Sequence, residues 1–250
     1  MKPVTAAEIL ELDENLEVKV IAAYAQPEVT VWQAAKCDYS ERPVHYRDLL
    51  HVDPGKFIVE ELLANERGHW GPLEHPHITF SVAGFVHSVM VQARTHRIGV
   101  SFDVQSQRYT GKRVIKVAND ELGTEEVFYF RPPGLYLDRM GKKYEYTKQD
   151  QLDDMFLTKE SCRDYKHRIE ERGFAEEHAR DQLPQNIRQN FVVTFNLRSV
   201  LHFLDLRAKR DAQVEIQALC EALAPSIKNW APNVWDYYEQ KRLHKARLSP

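Results

Sequence analysis

Polar and apolar residues alternate from His77 to Ala83, with Ile78, Phe80 and Val82 on one side. That period of two predicts a half-buried strand, broken at Gly84. The period then changes. Phe85, Val86, Val89, Met90 and Ala93 recur at helical spacing, so Phe85–Arg94 reads as a helix. Upstream, Leu16–Ala25 is β-rich, and Val31–Ala35 opens a short apolar stretch closed by the polar run Asp38–Pro43. Phe57–Glu66 follows Pro54-Gly55, carries Phe57, Leu62 and Leu63, and predicts a helix stopped by Gly68.

After Arg94 the chain reads as a polar loop up to Val127–Phe130, a predicted strand bounded by Pro132-Pro133-Gly134. The longest amphipathic pattern is Leu152–Ile169, through Leu152, Met155, Phe156, Cys162, Tyr165 and Ile169, with Gly173 as its natural stop. Asn190–Phe195 is β-rich, and Asn196 then has the chemistry of an N-cap for a helix reaching about Ala208. Ala212–Lys228 and Val234–Leu243 predict two closing helices. Strands separated by single helices, without regular β-α alternation, place the chain in the α+β class. The expectation is a central, largely antiparallel sheet flanked by helices, with a helical C-terminal part. No repeat, linker or composition break divides residues 1–250, so a single domain is expected.

Composition narrows the function. With 43% apolar and 28% charged residues, 250 residues can bury a core without metal or disulfide. The net charge of −3 disfavours a general nucleic-acid coat or a membrane-surface binder, so affinity for phosphate must come from a local patch. Cys37, Cys162 and Cys220 are distant and odd in number, which fits a reducing, cytoplasmic setting without a disulfide framework. Met1–Asn15 lacks the apolar core of a signal peptide, and no stretch approaches the roughly 18 apolar residues of a membrane span.

Three segments carry candidate chemistry. Gln92–Arg113 holds five Arg or Lys against one acid, Asp103, interleaved with Ser, Thr and Gln donors. Guanidinium groups chelate phosphate oxygens and hydroxyls complete such sites, although the same composition also describes a solvated basic loop. Gly68–His77 gathers His69, His75, His77 and Glu74, a metal-like set whose spacing matches no zinc pattern and whose Pro72 and Pro76 prevent a regular helix. In Asn196–Ala208, Leu197, Val200, Leu201 and Leu204 share one helical arc and Arg198, His202 and Asp205 another. Arg207 falls at the edge of the apolar arc and points opposite to Arg198, nine residues earlier. The ten glycines form no dinucleotide or Walker loop, and Cys162 and Cys220 fall in helical core positions. An enzyme with this inventory would leave the hard step to a bound cofactor.

His96-Arg97, followed by Ser101-Phe102-Asp103 and Ser106-Gln107-Arg108-Tyr109, resembles the signature of flavin-dependent thymidylate synthases: Arg-His-Arg, seven residues, Ser, then Arg-Tyr shortly after. Three more segments agree in order. Gly68-His69 with Pro72-Leu73-Glu74-His75 is similar to the family's Gly-His-x-x-Pro-x-Glu-His, and Ala179-Arg180 before Leu183-Pro184 to its Ala-Arg-x-x-Leu-Pro. Asn196–Ala208 with Ala212–Ile216 is similar to its late helix pair, so the resemblance spans roughly Ala34 to Ile216.

The resemblance implies a homotetrameric α+β enzyme with tightly bound FAD at subunit interfaces, converting dUMP to dTMP without an enzymic cysteine nucleophile. Methylenetetrahydrofolate would supply the carbon and NADPH the reducing equivalents. Carried over by position, Gln92, Gln105, Ser106, Gln107, Arg108, Arg180 and Arg207 would contact dUMP. Glu74, Thr95, His96, Arg97, Asn196, Arg198 and His202 would contact FAD or its surroundings. Arg207 would be catalytic, stabilising negative charge on the uracil as N3 ionises; Ser106 is read as a hydroxyl donor, with no adjoining general base.

The sequence also departs from the family's pattern. Thr95 replaces the first signature arginine, and Arg94, one position earlier, is expected to supply that guanidinium to dUMP. Eight residues, not seven, separate Arg97 from Ser106. Val104 stands where Glu is frequent, Gln107 for Gly, His202 for Asn, Asp38 for Ser and Asp211 for His. Two rival readings are a metal-dependent nucleotide hydrolase built on His69, His75, His77 and Glu74, and a nucleic-acid-binding module using Arg94–Arg113, against which the acidic net charge argues. The expectation is no resident metal, no nucleic acid and no membrane.

Overall fold

A computed structural model describes residues 2–46, 52–64 and 68–245. The strands are β1 (Glu17–Ala23), β2 (His77–Val86), β3 (Val100–Val104), β4 (Gly134–Leu137), β5 (Lys143–Tyr146) and β6 (Arg188–Asn196). Four form the main sheet in the order β1-β2-β6-β3, every neighbour antiparallel, while β4 and β5 make a separate ribbon. One face of the sheet, through Phe80, Val82, Phe191, Val193 and Phe195, shares a core with helices Leu197–Arg207 and Val214–Trp230. Helix Pro232–Lys241 closes the helical C-terminal part. The α+β expectation therefore holds.

β2 buries Ile78, Phe80 and Val82, as the alternation requires, but it does not stop at Gly84. Gly84 adopts φ +78°, and a Cβ there would lie 2.0 Å from the Asn15 carbonyl oxygen. The register slips between Val82 and Phe85, so a bulge carries the strand on to Val86. The following helix consequently begins later than the pattern implied, at His87, and ends at Ala93. Phe85 and Val86 are apolar because they complete a strand.

The polar stretch after Arg94 is not one loop. It contains β3, paired with β6 at the sheet edge, and the short helices Gln107–Thr110, Lys112–Ala118 and Thr124–Val127. The strand expected at Val127–Phe130 is also absent: Val127 ends a helix and Phe128 makes only an isolated bridge to Ile187. Val127, Phe128 and Phe130 are apolar because they fill a second core with Val114, Val117, Cys162 and Tyr165, while Tyr129 joins the main one. A short apolar run does not distinguish a strand from any other buried segment.

The amphipathic pattern from Leu152 lies in helix Lys148–Glu170, started by a Thr147/Asp150 capping box. Val31–Ala35 belongs to helix Pro27–Cys37, which buries Val31, Trp32 and Ala35. The helix placed at Phe57–Glu66 starts earlier and ends earlier. Asp53 caps it through the Lys56 amide, Pro54–Phe57 forms its α-helical turn, Ile58–Leu63 continues as a wider π-helix, and Ala64 is extended. The remainder of that expectation, Glu66 included, lies outside the described residues. No helix among the described residues is long and apolar enough to cross a membrane.

Candidate active site

Helix His87–Ala93 leaves the end of β2 and presents His87, Met90 and Arg94, spaced by three and four, to a cleft of about 710 Å3. The other wall descends from β3. Gln105 is tied to β6 by its amide, which donates to the Asn190 carbonyl at 2.9 Å, and this sets Ser106, Gln107 and Arg108 along the cleft. Ser106 sits at the N-cap position of Gln107–Thr110 without spending its hydroxyl on the cap. Arg180, in the short helical turn Arg180–Gln182, closes the third side with Leu183 and Pro184.

The guanidinium groups of Arg94 and Arg180 have no hydrogen-bond or ion-pair partner among the described residues, and that of Arg108 lies 5.5 Å over the Tyr109 ring. Against these three guanidinium groups the lining offers one carboxylate, Asp181. Like charges held together without partners suit an anion with two negative charges and hydrogen-bond acceptors on several sides.

A second cluster forms around Arg207, at the end of helix Leu197–Arg207. Its Nε donates to His96 Nε2 at 3.0 Å, and its Nη2 donates to Thr95 Oγ1 at 2.8 Å and to the Gln92 carbonyl at 3.2 Å. The Thr95 hydroxyl in turn donates to the same carbonyl at 2.7 Å. Nη1 makes no hydrogen bond to the described residues. His96 is only 7% exposed, packed edge-on against His202 and Phe203 at 5.4 and 5.0 Å. Burial, then the charge of Arg207 and the neighbouring His202, lower its pKa to about 4. The imidazole is therefore neutral at physiological pH and serves as the acceptor that aims the guanidinium.

Six of the eight residues assigned to dUMP, Arg94, Gln105, Ser106, Gln107, Arg108 and Arg180, line the cleft. Gln92 and Arg207 do not. Gln92 is two residues from Arg94, a rotation of about 200° on a helix, and its Nε2 donates to Gln213 Oε1 at 2.6 Å on the other side. Of the flavin set, Thr95, His96 and His202 gather at Arg207, while Arg198 pairs with Glu74 at 2.6 Å across to the turn Gly71–Glu74. Arg97 is exposed, without a polar partner among the described residues. Asn196 is 4% exposed and caps the helix through the Ser199 amide at 2.8 Å.

Three readings of side chains change or sharpen. Asp205 shares its helical arc with Arg198 and His202, but its side chain is fully buried, accepting from Tyr238 Oη at 3.0 Å and Arg242 Nη2 at 2.8 Å. The C-terminal helix covers that side. The residues of the metal-like set have separate attachments, with His69 Nε2 3.5 Å from Asp38 Oδ2, His77 Nδ1 2.8 Å from the His75 carbonyl and Glu74 on Arg198. Among the described residues no three His, Cys, Asp or Glu side chains form a metal-sized group. Cys162 and Cys220 are buried in the two cores, and burial pushes the Cys162 thiol up to about 12 and raises that of Cys220. Neither has the depressed pKa of an activated nucleophile.

The family model for thymidylate synthase complementing protein, Thy1, matches residues 19–233. The flavin-dependent thymidylate synthase of Haloarcula marismortui is 32% identical, over 94% of this chain and 100% of its own. The chain belongs to the flavin-dependent thymidylate synthase family. A relative of that name from Pyrococcus abyssi is 34% identical over 82% of this chain and 79% of its own. Among solved structures, Helicobacter pylori ThyX with FAD and dUMP superposes with a TM-score of 0.68 at 19% identity, covering 92% of this chain and 100% of that one. The UMP/dUMP methylase PolB of Streptomyces cacaoi, bound with 5-Br UMP, reaches 0.70 at 21% identity over 95% and 98% of the two chains. The α+β architecture is thus that of the family. Four polar residues of the cleft, His87, Asp181, Gln185 and Gln189, were not singled out from sequence, and His87 and Gln189 lie outside the motifs carrying the family resemblance. The spacing of His87 to Met90 and Arg94 was the one signal available for it.

Proposed function

We propose that this enzyme reductively methylates dUMP to dTMP, with methylenetetrahydrofolate as carbon donor, NADPH as reductant and FAD as tightly bound cofactor. The observation that carries the substrate reading is the cleft, where Ser106, Gln107 and three unneutralised arginines face one another. Its size and surplus positive charge suit a nucleoside monophosphate. Arg94 lines it and Thr95 does not, which supports Arg94 as the stand-in for the signature arginine.

The flavin fits the remaining set. Arg97 is free to meet a phosphate, Arg198 is half-exposed on Glu74, and the buried Nδ1 of His202 has no partner. Bound there, FAD would supply the two-electron chemistry. The chain's residues do the rest: neutral His96 and Thr95 fix two edges of Arg207, leaving Nη1 to face the uracil and stabilise charge as N3 ionises. Burial of Cys162 and Cys220 in the two cores supports a route without an enzymic thiol.

Gln92 and Arg207 do not line the cleft, and a site in which one chain's cleft faces another chain's Arg207 cluster would let one nucleotide touch both groups. We therefore read the active form as a homotetramer with sites at subunit interfaces. The single-domain, cytoplasmic reading belongs to the same proposal.

The test is an absorption spectrum of dialysed protein, repeated after adding FAD and then dUMP. Flavin bands that survive gel filtration and shift with dUMP are expected, followed by dTMP formation with NADPH and methylenetetrahydrofolate. A protein that retains no flavin overturns the cofactor assignment; one that retains it without a dUMP response overturns the substrate assignment.

A further inference from the structure

We propose that His87, backed by Gln189, binds the phosphate of the nucleotide in the cleft; this rests on the nucleoside monophosphate reading above. His87 is fixed from both directions of the chain. Its amide donates to the Ile187 carbonyl at 2.9 Å, locking it between the end of β2 and the start of β6, and it opens the helical stripe that continues through Met90 and Arg94. Its ring lines the cleft and makes no hydrogen bond to the described residues, and Nδ1 is buried without a partner.

Gln189, on β6, lines the same wall. It is 2% exposed, its Nε2 reaches the Gln105 carbonyl only at 3.5 Å, and its Oε1 is buried without a partner. Folded proteins rarely leave a buried polar atom without a partner; a phosphate oxygen can accept from the His87 imidazole, whereas Gln189 Oε1, itself an acceptor, takes no partner from a phosphate. The charged groups lining the cleft with the ring are Arg94, Arg108 and Arg180, with Asp181 as the opposing carboxylate. The surplus of two positive charges matches a phosphate monoester dianion. An imidazole N–H among these guanidinium groups adds a donor of fixed direction, with Gln189 in the same wall. Neither residue belongs to the motifs that carry the family resemblance, so the proposed contact adds to the donors those motifs supply.

The experiment uses the FAD-loaded protein and measures the dUMP dissociation constant by flavin absorbance. Inorganic phosphate and deoxyuridine serve as competitors. His87→Leu is expected to raise the dUMP constant and the phosphate inhibition constant together, at least tenfold, and to leave the deoxyuridine constant unchanged. His87→Gln, which keeps a donor, should remain within about threefold of the parent protein. If His87→Leu fails to retain flavin, His87→Phe, closer in shape to the imidazole, carries the same comparison. Unchanged dUMP affinity, or equal weakening of dUMP and deoxyuridine, overturns the assignment of His87. Failure of the parent protein to bind dUMP overturns instead the nucleotide reading on which it rests.

Discussion

His96 makes a pH dependence that can be calculated and isolated. Burial, with help from Arg207 and His202, lowers its pKa from 6.5 to about 4. Above pH 6.5 neither the folded nor the unfolded chain carries the proton, and the group has no effect. Between 6.5 and about 4 the unfolded chain binds a proton that the folded chain refuses, so stability falls as pH falls. Below about 4 both states are protonated and the loss is complete. A shift of this size corresponds to about 3 kcal/mol in all, of which about 2 kcal/mol is already lost at pH 5.

Other groups titrate in the same window, so the measurement is a difference. His96→Gln retains an acceptor for Arg207 Nε, occupied by His96 Nε2 at 3.0 Å in the native site, and removes the titration. Urea unfolding would be followed at pH 7.5, 6.5, 5.5 and 5.0, at one protein concentration with FAD saturating. The variant starts below the parent at pH 7.5, because one of its buried amide hydrogens lacks a partner. The gap should close or reverse by about 2 kcal/mol on going to pH 5. Parallel curves for the two proteins would refute the argument that this imidazole is held neutral by its surroundings.

Three further outcomes follow from other parts of the molecule. Gly84→Ala forces a Cβ to 2.0 Å from the Asn15 carbonyl oxygen at φ +78° and should cost about 3 kcal/mol or more in unfolding free energy, whereas Gly71→Ala meets nothing within 4 Å and should change it little. Arg131→Met strands the Glu215 carboxylate, 3% exposed and 2.6 Å from Arg131 Nε, and should cost about 2–3 kcal/mol; thermal melts give the low end if the 37% exposure of Arg131 already weakens the pair. Arg207→Ala and Arg180→Ala should each abolish turnover while retaining flavin, and an equal co-expressed mixture should recover about one quarter of the sites if each site draws the two arginines from different chains. Mixtures as inactive as the separate variants would place both arginines in one chain's site.

Elements whose causes lie within a few residues were legible in the sequence. The alternation of Ile78, Phe80 and Val82 and the cap at Asn196 both survive in the structure. Gly84 was ambiguous for a physical reason: a glycine both ends strands and makes bulges, and here the outcome depends on the Asn15 carbonyl, which packs against it from a distant segment. Val127–Phe130 failed similarly, since apolarity records burial and not the backbone conformation that achieves it. Helical rotation alone placed Asp205 on one arc with Arg198 and His202 and said nothing of its burial. Tyr238 and Arg242, from the last helix, turn that position into an interior ion pair.

The candidate site was legible as residue types and much less as groups. Motif resemblance picked out both Gln92 and Arg94, but resemblance along a chain carries no direction in space. The helix separates them by about 200°, and with that rotation the residues assigned to the nucleotide divide into an arginine-lined cleft and an Arg207 cluster. His87 shows the converse. Alone it is one histidine at the start of a short helix, marked only by its spacing to Met90 and Arg94. Its position acquires meaning only when β6 brings Gln189 beside it and the turn at Arg180 and the segment after β3 bring guanidinium groups across from it. A residue defined by neighbours from three separate elements has no local sequence signature, and for that reason it is also where members of one fold can differ most without altering their motifs.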